Sequence, residues 1–211
     1  MALHLVIGDK TYSSWSLRAA LALELTGAPY TEQLIRLNQP DTRAQILVHS
    51  PTGKVPLLVT EEGSIWDSLA IGEYLAERFP EAPLWPRDRY PRAVARSVCA
   101  EMHSAFVALR SHLPMDLKRD QALAEVPSEV QVELQRLFAL WADCRARFGQ
   151  GGPFLFGLPS LADAFFAPVA TRLRSYRVAL PSEAVAYVET IYQWPAFQRW
   201  YRAAQDEDAI A

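Results

Sequence analysis

The pattern of apolar and polar positions changes character near residue 80. Before it, short apolar runs alternate with helical spacing. Leu3 to Ile7 is an apolar run of strand length, and Leu17, Leu21 and Leu25, with Ala20 and Ala22 beside them, recur at the spacing of one helix face. Thr26-Gly27 supplies a stop for that helix. Tyr30 to Leu37 predicts a second strand, and Asp41 caps a predicted short helix ending near Val48. Val55 to Thr60 is β-rich, Glu61-Glu62-Gly63 is a turn, and Ser64 to Trp66 returns as a short partner strand, which together predict a hairpin. Asp67 or Ser68 caps the next predicted helix, which runs towards Phe79.

Pro80, Pro83, Pro86 and Pro91 then follow one another closely. Such a density interrupts helices and marks a connector. Beyond it the periodicity is helical throughout: about Arg92 to Leu113, Ser128 to Phe148, Leu161 to Tyr176, and shorter segments from Ser182, with Gly149, Gly151 and Gly152 as punctuation. Strand–helix alternation followed by helices alone predicts an α/β domain with a mixed sheet over residues 1–80, a linker over 81–91 and an all-helical domain over 92–211.

Composition narrows the function classes. A chain of 211 residues, half of them hydrophobic, can bury a substantial core. The net charge of −3, without a block of like charges, disfavours nucleic acid as a partner. No apolar run approaches the ~18 residues of a membrane-spanning helix, and Met1 to Gly8 lacks the basic flank and cleavage site of a signal peptide. Cys99 and Cys144 lie far apart, which argues against a disulfide framework and for a reducing, cytoplasmic setting. No cysteine–histidine spacing suits a metal, so none is expected.

Three segments of the first domain concentrate polar groups where backbone ends are free. Ser50-Pro51-Thr52-Gly53-Lys54-Val55-Pro56-Leu57-Leu58 places a proline at the head of a buried strand. A cis Val55–Pro56 bond would turn the Val55 N–H and C=O outward, where an extended peptide can pair with them; a trans proline on an edge strand is the alternative. Trp66-Asp67-Ser68 opens a helix, whose free N–H groups and Ser68 suit a carboxylate while Asp67 suits an ammonium; an ordinary N-cap is the alternative. Thr11-Tyr12-Ser13-Ser14-Trp15-Ser16-Leu17-Arg18 gathers hydroxyls at the start of the first helix. A hydroxyl there can cap the helix, or donate to a bound thiolate. Lowering a thiol from its ordinary pKa of ~8.5 by ~2 units requires about 2.7 kcal/mol, which one charge-assisted hydrogen bond and a helix end can supply.

Together these three segments resemble the glutathione-contacting segments of the cytosolic glutathione transferase family, a bacterial serine-type, zeta or maleylacetoacetate-isomerase-like form. The resemblance implies a thioredoxin-like first domain and a helical second domain that shapes an electrophile pocket. It implies glutathione as cosubstrate, paired along Val55 and Pro56, with its γ-glutamyl end on Asp67 and Ser68 and with Lys54 near its glycyl carboxylate or backbone. A hydroxyl of the first loop then holds the thiolate: Ser13 first, then Thr11, then Ser14, with Tyr12 a further option. Trp15, Met102, His103, Phe106 and Arg110 are the candidate pocket residues, the last four recurring at helical spacing, although core packing explains a Met/Phe stripe equally. Gly157-Leu158-Pro159-Ser160-Leu161-Ala162-Asp163 resembles the family's capping segment, a capping box with a folding role. The implied activity is conjugation of glutathione to a small electrophile, or isomerisation of one, by a homodimer; a non-catalytic ligand carrier or regulatory protein is the alternative. Trp194, Phe197, Trp200 and Tyr201 are read as core packing.

Overall fold

The computed structural model describes residues 3–207; Met1, Ala2 and residues 208–211, at the ends of the two expected domains, lie outside the described residues. The first half runs β1 (Leu3–Gly8), α1 (Ser14–Thr26), β2 (Tyr30–Ile35), α2 (Thr42–Leu47), β3 (Leu57–Val59), β4 (Ser64–Ile65) and α3 (Ser68–Arg78). The sheet order is β2-β1-β3-β4, with β1 parallel to β2 and antiparallel to β3, the mixed sheet that the sequence predicts.

Helix α1 is buried almost all round: Leu17, Ala19, Ala20, Leu21, Ala22 and Leu23 are all inaccessible. An all-apolar helix of this kind belongs in an interior. It packs on α3 and also on α7 of the second half, so one hydrophobic cluster runs through both halves of the chain. It stops at Gly27, whose φ of 66° is the left-handed conformation that ends helices.

The second half comprises α4 (Arg89–Ser104), α5 (Val107–His112), α6 (Ser128–Phe148), α7 (Leu161–Ser175), α8 (Ser182–Gln193) and α9 (Pro195–Asp206). None of the described helices is long and apolar enough to cross a membrane. Helix α4 begins inside the expected linker. Pro91 sits in its first turn, where the missing N–H has no intrahelical partner to lose.

A second difference matters more for the site. The single helix expected from Arg92 to Leu113 is two helices. The chain breaks at Ala105 and Phe106, with Phe106 in the left-handed region at φ 56° and ψ 41°. Glu133 of α6 makes the break tolerable, because its carboxylate accepts the first-turn amides of Ala108 (3.1 Å) and Leu109 (2.7 Å). Glu133→Ala is expected to cost about 1–2 kcal/mol in a denaturant titration, by stripping those amides of their acceptor. A loss below a few tenths of a kcal/mol would show that water replaces the carboxylate.

Helix α7 is the central element, buried from Leu161 through Leu173. The Leu161 amide donates to the carbonyl of Leu84 in the linker (2.9 Å), which fixes its start against the first domain. Asp163 reaches back to the Ser160 amide (2.9 Å), as the capping segment predicts. Trp194, Phe197 and Trp200 are buried, in keeping with their reading as core.

Candidate functional site

Strands β3 and β4 pair antiparallel, with Leu58 opposite Ile65. That register carries Val55, just before β3, and Ser68, just after β4, to the same end of the hairpin. The Val55–Pro56 peptide bond is cis, and so is Trp66–Asp67. The Val55 N–H and C=O take no part in hydrogen bonding among the described residues. Asp67 is the N-cap of α3, its Oδ1 accepting the Leu69 amide at 2.9 Å. Ser68 follows it, 1% exposed, with a hydroxyl that has no partner among the described residues. Lys54 is exposed beside them.

The loop between β1 and α1 faces this end. Asp9 organises it: its carboxylate accepts the Leu37 amide (2.6 Å) and the Arg36 guanidinium (3.1 Å), while its carbonyl accepts the amides of Tyr12 and Ser13. The hydroxyls that follow are not equivalent. Thr11 is turned to the C-terminal end of α9, its Oγ1 donating to Glu207 (2.9 Å) and the Ala204 carbonyl (3.1 Å). Ser13 is the N-cap of α1; its Oγ accepts the Ser16 amide and donates to the Ser16 hydroxyl at 2.7 Å. Tyr12 lies near Asp116, Asp9 and Glu207, and burial followed by these three carboxylates raises its pKa, a field that opposes any neighbouring anion. Ser14, the first residue of α1, has a hydroxyl with no hydrogen bond to any described residue.

The expected pocket residues divide. Met102 is 0% exposed and Phe106 3%, both in the core. Met102 precedes the break in α4, while Phe106 lies at it, outside the helical register that would have aligned it with His103. Trp15, His103 and Arg110 do meet: the His103 ring stands edge-on to Trp15 at 5.0 Å, and the Arg110 guanidinium lies 5.6 Å from the Trp15 ring. His103 Nε2 is also 3.2 Å from the Asp67 Oδ2, so α4 touches the cap of α3 directly.

Tertiary structure adds groups to which sequence reasoning assigned no part in the site. Glu207 clasps the loop, accepting the amides of Lys10 (2.7 Å) and Thr11 (2.9 Å), while Trp200 Nε1 donates to the Lys10 carbonyl (2.9 Å). Arg18 lies buried against Trp15, and Arg172 of α7 is buried close enough to act on its charge. No local signal marks these four; the partners they meet come from remote parts of the chain.

A mixed β/α domain with an open hairpin end and two helix N-termini beside it, set against a helical domain, defines a class of two-domain proteins. Family models described as glutathione S-transferase, N-terminal domain and glutathione S-transferase, C-terminal domain match residues 12–78 and 89–203. The chain belongs to the glutathione S-transferase family of enzymes. It is 39% identical over 162 residues to a zeta-class glutathione S-transferase from Euphorbia esula, covering 74% of this chain and 70% of that one. It is 28% identical over 212 residues to the maleylacetoacetate isomerase of Pseudomonas aeruginosa, covering 94% and 96%. Among solved structures, a Burkholderia glutathione transferase homologue with bound glutathione superposes with a TM-score of 0.74 at 25% identity, covering 98% of this chain and 99% of that one.

Proposed function

We propose that the hairpin end is a glutathione site and that the enzyme activates the bound thiol for addition to a small electrophile, by conjugation or by an addition–elimination that isomerises it. The observation that carries this reading is the buried, unpartnered Ser68 hydroxyl beside the unpaired Val55 backbone. A buried hydroxyl without a partner is costly unless a ligand supplies one. Glutathione fits: its cysteinyl backbone pairs with Val55, its γ-glutamyl carboxylate meets Ser68 and the α3 N-terminus, and its ammonium meets Asp67. Ser14, whose proton is uncommitted, donates to the sulfur in place of Ser13 or Thr11, whose protons are engaged within the protein. The electrophile lies beside Trp15, His103 and Arg110. The likeness to a maleylacetoacetate isomerase supports isomerisation as one such activity. We further propose a cytoplasmic homodimer with a part in detoxification; Leu47 and Val48, exposed on the first domain, supply apolar surface for such pairing.

Calorimetry with glutathione tests the site. Asp67→Asn keeps an oxygen for the Leu69 amide but removes the charge, so the dissociation constant should rise about tenfold or more while the melting temperature holds. Unaltered affinity in that variant would remove Asp67 from the site.

A further inference from the structure

Arg18 is 0% exposed, and its Nε, Nη1 and Nη2 all lack a hydrogen-bond partner among the described residues. Its guanidinium is sandwiched between the rings of Trp15 at 4.3 Å and Phe165 at 5.0 Å. Arg172 of α7 is 4% exposed; its Nη1 donates to the Pro168 carbonyl (3.0 Å) and its Nε has no partner. Arg110 of α5 also lies over the Trp15 ring, at 5.6 Å, and among the described residues donates to the Phe106 carbonyl (3.3 Å). None of the three forms an ion pair with a described residue.

The remaining titratable groups do not balance this charge. From α3 comes the Asp67 carboxylate; from α4 come His103, already on Asp67, and Cys99, whose thiol burial holds well above its ordinary value and therefore neutral. Against them stand Arg110 and Arg172. Burial first, then Arg172 and Arg110, pull the Arg18 guanidinium down to about 9, and burial with Arg110 pulls Arg172 to about 10. Aromatic faces recover part of the desolvation cost of a buried cation, but an apolar side chain of similar length would fold more cheaply.

Arg18 lies four residues after Ser14, one helical turn along the same face of α1. A cation in a dry interior acts on charge at that range far more strongly than one in water. We propose that Arg18, flanked by Arg110 and Arg172, sets the ionisation of the thiol held at Ser14: the positive charge that the fold leaves uncompensated is matched by the glutathione thiolate. The proposal rests on the glutathione reading of the site. In the step itself the S–H bond breaks, the electron pair stays on sulfur and the proton passes to solvent. The three arginines act through the thiolate and Ser14 as positioning residues.

The test is a pH titration of thiolate absorbance with glutathione alone bound, in the parent protein and in Arg18→Met, Arg172→Met and Arg18→Lys. Each methionine variant should raise the pKa of the bound thiol by about one unit or more, about a tenfold loss of thiolate at neutral pH. Arg18→Lys, which keeps the charge, should retain most of the lowering, and Arg18→Met should melt no lower than the parent. A purely structural role predicts the reverse: an unmoved titration and a lower melting temperature. If Arg18→Met does not fold, Arg172→Met gives the same reading. Unchanged titrations in the variants overturn the proposal, also where turnover of acid-bearing electrophiles falls relative to their neutral esters, since the cluster then serves the electrophile. A parent protein that neither binds nor ionises glutathione overturns the site itself.

Discussion

Alanine at Asp163 should destabilise the protein by about 3 kcal/mol or more, a large share of the ~5–15 kcal/mol of ordinary folding stability. The Asp163 carboxylate accepts the amides of Ser160 (2.9 Å) and Leu155 (3.1 Å), the Ser160 hydroxyl (3.1 Å) and the Tyr187 hydroxyl (3.0 Å). All of these groups are buried. Removing the acceptor strands every donor at once, at the point where α7, α8 and the preceding loop meet. Chemical denaturation checks this, and a loss under about 1 kcal/mol would mean the loop re-forms around other acceptors. Burial, opposed by those hydrogen bonds, raises the Asp163 pKa from 3.8 to about 6. The folded state therefore binds this proton more tightly than the unfolded chain. The stability tied to that proton is complete below pH ~4 and is lost as pH rises through about 6. Asp163→Asn should flatten the stability profile across that window.

The second large effect concerns activity. Ser14→Ala should lower kcat/KM by about a hundredfold, the order seen when one preorganised donor to a developing anion is removed. Ser13→Ala should instead cost about 1 kcal/mol of stability through the lost cap of α1, with a smaller kinetic effect. Steady-state rates with glutathione and an activated aryl halide, beside melting curves, separate the two. A larger kinetic loss in the Ser13 variant would transfer the sulfur contact to Ser13.

The parts of the site that were legible from sequence are those made by neighbours in the chain. The hairpin of Val55–Trp66, the cap at Asp67 and the polar start of α1 are each specified within about ten residues, because turn chemistry, alternation and capping are short-range. The helix that carries the expected pocket residues was read less well. Helical spacing continued through residues 105 and 106, so Met102 and Phe106 seemed to share a face with Arg110, and nothing nearby reveals that Glu133 stabilises a break there.

By itself, then, the sequence determined the two-domain order, the mixed sheet and the acid–serine pair at Asp67 and Ser68, and it left the Val55–Pro56 bond open between cis and trans. Tertiary structure alone decided which hydroxyl of the first loop is left without an internal partner, where α4 ends and where positive charge collects. Thr11 is withdrawn by Glu207 from 196 residues away, and Arg18 is enclosed by Phe165 and joined by Arg172 from α7. Local patterns record what a segment does with its own backbone. The availability of a side chain depends on which remote group reaches it first.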